Sequence, residues 1–170
     1  MNEKNTTKKI VVAAMLAALT CVATMIIKIP SPLKGYVNIG DCAVLLASWM
    51  LSPMYGFFAA GVGSMLADVF SGYVLYAPAT FVIKGGMALV AYYGSKLMRK
   101  KTNGTVALII SGAVAEVWMI IGYFVFEGFL YGFAPSAVNI PSNGVQGIVG
   151  LILGFALIRL FEKNKISFLK

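Results

Sequence analysis

The stretch KKIVVAAMLAALTCVATMII, from Lys8 to Ile27, decides the fold class. Two lysines lead into 18 residues, Ile10 to Ile27, that carry no charge. As a helix rising about 1.5 Å per residue, that run is close to the roughly 30 Å hydrocarbon thickness of a bilayer. A secretory signal peptide opens in the same way, but a soluble mature domain follows it. Here more apolar segments follow, so the run reads as a retained first membrane helix.

The rest of the chain agrees with that reading. Of its 170 residues 59% are hydrophobic and 12% charged, against about 45–50% and about 25% in soluble domains. Six spans are expected, at about 8–27, 41–52, 54–70, 77–98, 104–126 and 142–161, in a single membrane domain over 1–170. The second is short for a crossing, and Ser52-Pro53 separates it from the third. Short or broken helices at membrane depth require cover from protein or a water-filled cavity. The fold class expected is an all-α integral membrane bundle of six helices.

Charge placement sets the orientation. With both termini cytoplasmic, the inner segments hold Lys4, Lys8, Lys9, Lys96, Arg99, Lys100, Lys101, Arg159, Lys163, Lys165 and Lys170, and the outer ones only Lys28 and Lys34. Eleven against two is the positive-inside pattern. It explains the net charge of +8 without nucleic acid, for which no folded basic surface is in view. The outer segments, 28–40, 70–77 and 127–141, carry most of the loop Pro, Asn and Tyr residues.

Ionisable groups inside spans are costly, by about 2.5–3.5 kcal/mol for a central charge, and default to functional hypotheses. Lys84 and Glu116 are placed to pair across adjacent helices, either as a structural ion pair or as ligand contacts. Asp41 opens the second span, where a carboxylate suits a helix N-cap. Asp68 lies near the outer end of the third. Asn143 and Gln146 share one helical face, behind Asn139 and Pro141. They suit a ligand that donates and accepts hydrogen bonds, or hydrogen bonding between helices. Tyr36, Tyr73, Tyr76, Phe81, Trp118, Tyr123 and Tyr131 gather at the outer level, as an interfacial belt or as stacking partners for a flat ligand. Together these groups describe a small-molecule pocket. On the first span Ala13, Ala14, Ala17 and Ala18 form two small-xxx-small pairs, for packing within the bundle or against a partner helix.

Other chemistries lack their residues. Histidine is absent, which removes the commonest general base and metal ligand, and no metal site or cofactor is expected. An intramembrane protease needs a Ser/His pair, a zinc site or paired aspartates, and a lipid phosphotransferase a dense Asp-rich motif. Cys21 and Cys42 read as buried structural thiols. A self-sufficient ion-coupled carrier or channel for a small polar solute is the alternative from another class.

The chain resembles the substrate-binding S components of energy-coupling factor (ECF) transporters. The resemblance rests on the Ala13–Ala17 and Ala14–Ala18 pairs, the Pro-bearing loop, and Gly35-Tyr36-Val37-Asn38-Ile39-Gly40-Asp41. Ala67-Asp68, Ser71-Gly72-Tyr73, Lys84-Gly85 and Asn143-x-x-Gln146 extend it over essentially the whole length. It is nearest to members assigned to pyridoxine or hydroxymethylpyrimidine. The resemblance implies high-affinity capture of a vitamin or precursor outside a bacterial plasma membrane. It also implies docking through the helix-one alanines on a membrane T component driven by two ATPase subunits. No Gly-x-x-x-x-Gly-Lys-Ser/Thr phosphate loop is present, so ATP hydrolysis would come from those partners. The pocket is expected between the outer ends of helices four to six, under the 28–40 loop. The ligand contacts expected are Lys84, Glu116, Asn143 and Gln146, with Asp68, Tyr73, Asn38 and Asn139 behind them.

Overall fold

The computed structural model describes residues 3–32 and 35–164, with side chains from Thr6 onward. Lys34, Lys165, Lys170 and the side chain of Lys4 fall outside the described residues. In chain order the elements are α1 (Glu3–Ile26), β1 (Lys28–Pro30), β2 (Tyr36–Asn38), α2 (Asp41–Met50), α3 (Pro53–Phe70), α4 (Ala77–Met98), α5 (Gly104–Tyr131), α6 (Phe133–Ser136) and α7 (Ile140–Lys163). A single 3-10 turn, Ala137–Asn139, joins α6 to α7.

Local sequence explains the boundaries. Pro53, Pro78 and Pro141 stand in the first turns of α3, α4 and α7, where a missing N–H costs nothing. Asn103 caps α5, its side-chain oxygen accepting the Val106 N–H at 2.9 Å. Past the end of α3, Gly72 takes φ +84°, a left-handed conformation that glycine adopts without steric cost.

The centre of the molecule is α2. Ten residues span about 15 Å, half a bilayer, and all ten are buried. Around it α1, α3, α4, α5 and α7 form an arc in which α1 packs on α3, α3 on α4, α4 on α5 and α5 on α7. Four of these helices, α1, α3, α4 and α7, touch α2 directly. Val44, Leu45 and Leu46 meet Met87, Leu108 and Met119 in a fully buried core. Two polar links tie neighbouring helices together, the first of them buried. Ser48 Oγ donates to the Ala88 carbonyl at 2.8 Å, and Trp118 Nε1 to that of Ile83 at 3.1 Å. Cys21 and Cys42 are free, buried thiols.

Among the described residues three helical stretches are long and apolar enough to cross a membrane: Thr6–Ile26, Gly104–Tyr131 and Phe133–Lys163. Only 22%, 33% and 28% of their most apolar windows are buried. Ile10, Met15, Val22, Phe129, Ile148 and Ile152 all point outward. An apolar exterior of this extent is a surface for lipid.

The alanine face of α1 divides in two. Ala13 and Ala17 are half-buried and pack against the core, whereas Ala14 and Ala18 are exposed. Opposite them a Cβ on Gly63 would stand 2.4 Å from the Ala17 carbonyl oxygen, so α1 and α3 touch backbone to backbone. Only the Ala14–Ala18 edge is open to another helix.

Candidate functional site

One end of the bundle gathers nearly all the polar groups that the sequence singles out. The segment 28–40 is not an irregular loop but a three-residue antiparallel hairpin. It pairs Lys28 with Asn38, Ile29 with Val37 and Pro30 with Tyr36. It folds over the helix ends, where Lys28 Nζ donates to Ser71 Oγ at 3.0 Å. Tyr36 Oη donates to Asp68 Oδ1 at 2.7 Å, and the Asn38 backbone N–H to Gln146 Oε1 at 2.9 Å. Burial, with the Asp68 carboxylate close by, pushes the Tyr36 phenol far above its ordinary range, so it remains a donor at physiological pH.

Beneath the hairpin lies a cavity holding about 400 Å³ of atom-free space, its mouth included. Its wall comes from five parts of the chain. The hairpin contributes Ser31, Gly35, Tyr36 and Asn38, and the end of α3 with its following turn contributes Asp68, Tyr73 and Tyr76. The helices α4, α5 and α7 contribute Thr80, Tyr123 with Glu127, and Asn143 with Gln146. Tyr36 stacks tilted on Tyr73 with centroids 4.7 Å apart, and Tyr76 meets Tyr73 edge-on at 6.5 Å. Thr80 Oγ1 and Tyr123 Oη lie 3.1 Å apart. No lysine or arginine lines the cavity among the described residues.

Two acceptors in this wall are incomplete. Asp68 and Glu127 are 5% and 3% exposed. Asp68 Oδ2 and Glu127 Oε2 accept no hydrogen bond, whereas Glu127 Oε1 takes the Asn139 amide at 2.8 Å and Tyr76 Oη at 3.4 Å. A buried carboxylate oxygen without a donor is costly.

The floor is a network of charges. Lys84 pairs with Asp41, so the expected Lys84–Glu116 pair does not form. Asp41 lies closer because α2 passes through the centre of the bundle, beside α4. Nor is Asp41 an N-cap. Gly40 holds that position without a side-chain cap, and Asp41 Oδ2 instead accepts the Gln146 amide at 2.7 Å. Lys84 Nζ also stands 5.5 Å from the Tyr123 ring centroid. Chained together, Lys84, Asp41, Gln146 and Asn38 link α4, α2, α7 and the hairpin. Glu116 lies behind this chain at 5% exposure, with neither carboxylate oxygen hydrogen-bonded. It faces Gly147 and Gly150, where an added Cβ would stand 3.1 Å from its oxygens.

Of the eight expected contacts, Asn38, Asp68, Tyr73, Asn143 and Gln146 line the cavity. Lys84 and Glu116 sit below it, and Asn139 stands behind Glu127. Sequence reasoning missed Glu127 and Thr80. For Glu127 a signal was present: it is the second lone carboxylate in the apolar run of α5, of the same kind as Glu116.

A bundle with an apolar exterior and a polar cavity at one end is suited to hold a solute. The comparisons make the class specific. A model of the ECF-type riboflavin transporter S component family matches residues 4–163. An uncharacterised protein of Pyrococcus woesei is 34% identical over 144 residues, 84% of this chain and 94% of that one. The thiamine precursor transporter HmpT of Lactococcus lactis subsp. cremoris is 26% identical over 168 residues, 98% and 94% of the two chains. The solved S component of a bacterial ECF transporter superposes with a TM-score of 0.75 at 28% identity, covering 93% of this chain and 97% of that one. A biotin S component at 15% identity shares the fold, with a TM-score of 0.52 over 94% and 95% of the chains.

The chain belongs to the S component family of ECF transporters. The family's members are membrane transport proteins for vitamins and their precursors, not enzymes.

Proposed function

We propose that this protein captures a small, flat, uncharged or cationic nitrogen heterocycle outside the cell, of the hydroxymethylpyrimidine or pyridoxine class. It then delivers the molecule to an ATP-driven module of one T component and two ATPase subunits. Six spans with both termini cytoplasmic put the hairpin end outside, which accords with the basic residues at the opposite end. Asp68, Tyr73, Asn38, Asn143 and Gln146 contact the ligand, joined by Glu127 and Tyr123. Lys84 holds the floor through Asp41. Asn139 acts as a positioning residue through Glu127, and Glu116 packs below. The Ala14–Ala18 edge of α1 is the docking strip for the T component, and Ala13 and Ala17 set its distance from α3.

The observation that carries this reading is the pair of buried, incomplete carboxylates, Asp68 and Glu127, in a tyrosine-lined cavity without a cation. Amino, ring N–H or hydroxyl donors on a ligand complete both acceptors, while phenol rings cover its faces. An anionic vitamin such as biotin would meet two carboxylates instead. The enclosed space under the hairpin is small, which favours one ring over three. The family description favours a second reading, riboflavin, whose hydroxyl and ring N–H donors also suit these acceptors.

Titration calorimetry of the detergent-purified protein with hydroxymethylpyrimidine, pyridoxine, riboflavin and biotin tests this. One-ring donors should bind and biotin should not. Losing a charge-assisted hydrogen bond is worth about 1.5–3 kcal/mol, so Asp68→Asn and Glu127→Gln should each weaken binding roughly ten- to hundredfold. Riboflavin as the tightest ligand would retain the capture role and overturn the size argument. Tight biotin binding, or unchanged affinity in both variants, would overturn the site. Ligand uptake in cells lacking every ATPase module would favour the ion-coupled carrier instead.

A further inference from the structure

A second cavity lies at the opposite end of the bundle, with about 680 Å³ of atom-free space including its mouth. On α4 the first cavity reaches Thr80 and the second begins at Tyr92, twelve positions or about 18 Å apart, so the two are separate sites. Three elements build the second: Lys9 from α1, Trp49 with the turn after α2, and Tyr92, Ser95, Lys96 and Arg99 from the last turns of α4.

Its chemistry is the reverse of the first. Three cations rim an apolar, aromatic interior, and among the described residues no carboxylate lines it. Inside, the Trp49 indole is 4% exposed and its Nε1 donor is buried without a hydrogen bond. A buried N–H without an acceptor in a cation-rimmed cavity calls for an anionic oxygen.

The position says where that oxygen comes from. Lys9 immediately precedes the apolar run of α1, and Lys96 and Arg99 stand where α4 ends. Exposed Ile10, Tyr93 and Leu97 lie beside them. Cations, aromatics and apolar flanks in that order define the membrane–water interface, where lipid phosphates lie.

We propose that this cavity binds the headgroup of an anionic phospholipid, its phosphodiester between Lys9, Lys96 and Arg99 and its chains along the outer faces of α1 and α4. Trp49 donates its indole N–H to a headgroup or ester oxygen. The bound lipid ties the basic end of the protein to one leaflet, independently of whatever ligand fills the other end.

The test uses full-length protein in nanodiscs with brominated phosphatidylglycerol or brominated phosphatidylcholine. A Trp118→Phe background leaves Trp49 as the sole tryptophan. Phosphatidylglycerol should quench Trp49 more strongly at equal mole fraction. Each basic residue near an anionic lipid is worth about 1 kcal/mol, so Lys96→Gln/Arg99→Gln should cut the preference about 30-fold. Native mass spectrometry of otherwise wild-type protein should show the same loss of retained phosphatidylglycerol, which covers the case of a poorly folded Trp118 variant. Ligand affinity at the far cavity should not change. Equal quenching by the two lipids, or a preference that survives the double substitution, would overturn the proposal. Displacement by millimolar inorganic phosphate would reassign the cavity to a soluble anion, and displacement only by an acidic partner protein would reassign it to docking.

Discussion

Replacing Lys84 with methionine keeps most of the length of the side chain and removes its charge. The structure sets a large cost. Lys84 and Asp41 are 3% and 1% exposed, and without the ammonium the Asp41 carboxylate is left with the Gln146 amide. Breaking a buried pair from one side costs about 3–5 kcal/mol, because the surviving charge stays buried. Asp41→Leu should cost a similar amount. It leaves the Lys84 ammonium with the Tyr123 ring at 5.5 Å, and a cation–π contact is worth only about 0.5–2 kcal/mol. In the double variant Lys84→Met/Asp41→Leu no charge remains, and the stranded Gln146 amide costs about 1–3 kcal/mol. The double should therefore be more stable than either single. Reversible unfolding in mixed detergent micelles, followed by tryptophan fluorescence, measures all four proteins. A Lys84→Met loss below about 1 kcal/mol, or a double loss equal to the sum of the singles, would refute the reasoning.

Three further outcomes follow from the same geometry. Glu116→Gln replaces a buried carboxylate that has no hydrogen bond with a neutral amide of the same shape, so it should melt no lower than the wild type; a large drop in melting temperature would show an ion pair there. Gly150→Ala would place a Cβ 2.6 Å from the Asp41 Cβ, and overpacking of this kind costs about 1–3 kcal/mol, read in the same unfolding assay. Ala14→Trp fills the exposed edge of α1, so it should abolish cellular uptake while calorimetric ligand affinity stays unchanged; normal uptake would remove the docking strip.

The parts of the fold legible in the sequence were those written in local pattern. Composition and the uncharged run at 10–27 gave a membrane protein, because lipid is the solvent that such a surface needs. Ser52-Pro53 and the turn at Ser71-Gly72 punctuated the helices by backbone chemistry alone. What failed was pairing across distance. Lys84 had two buried acids within reach of the argument, Asp41 and Glu116, and only the central path of α2 decides between them. Asp41 therefore looked like a helix cap, when its partners lie 43 and 105 positions away. The hairpin was hidden because three residues per strand are too few to show an alternating pattern. Within the cavity, the shared face of Asn143 and Gln146 was readable from their spacing. Glu127 was not singled out, as it stood just beyond the expected end of its span at about 126, whereas α5 runs on to Tyr131.

Capture of a vitamin-like heterocycle is tested most directly by mass spectrometry of the small molecules released when the detergent-purified protein is denatured. One stoichiometric, donor-bearing nitrogen heterocycle is expected, depleted in protein carrying Asp68→Asn together with Glu127→Gln. A wild-type protein that is empty, and that takes up none of the B vitamins or their precursors when they are supplied, would contradict it.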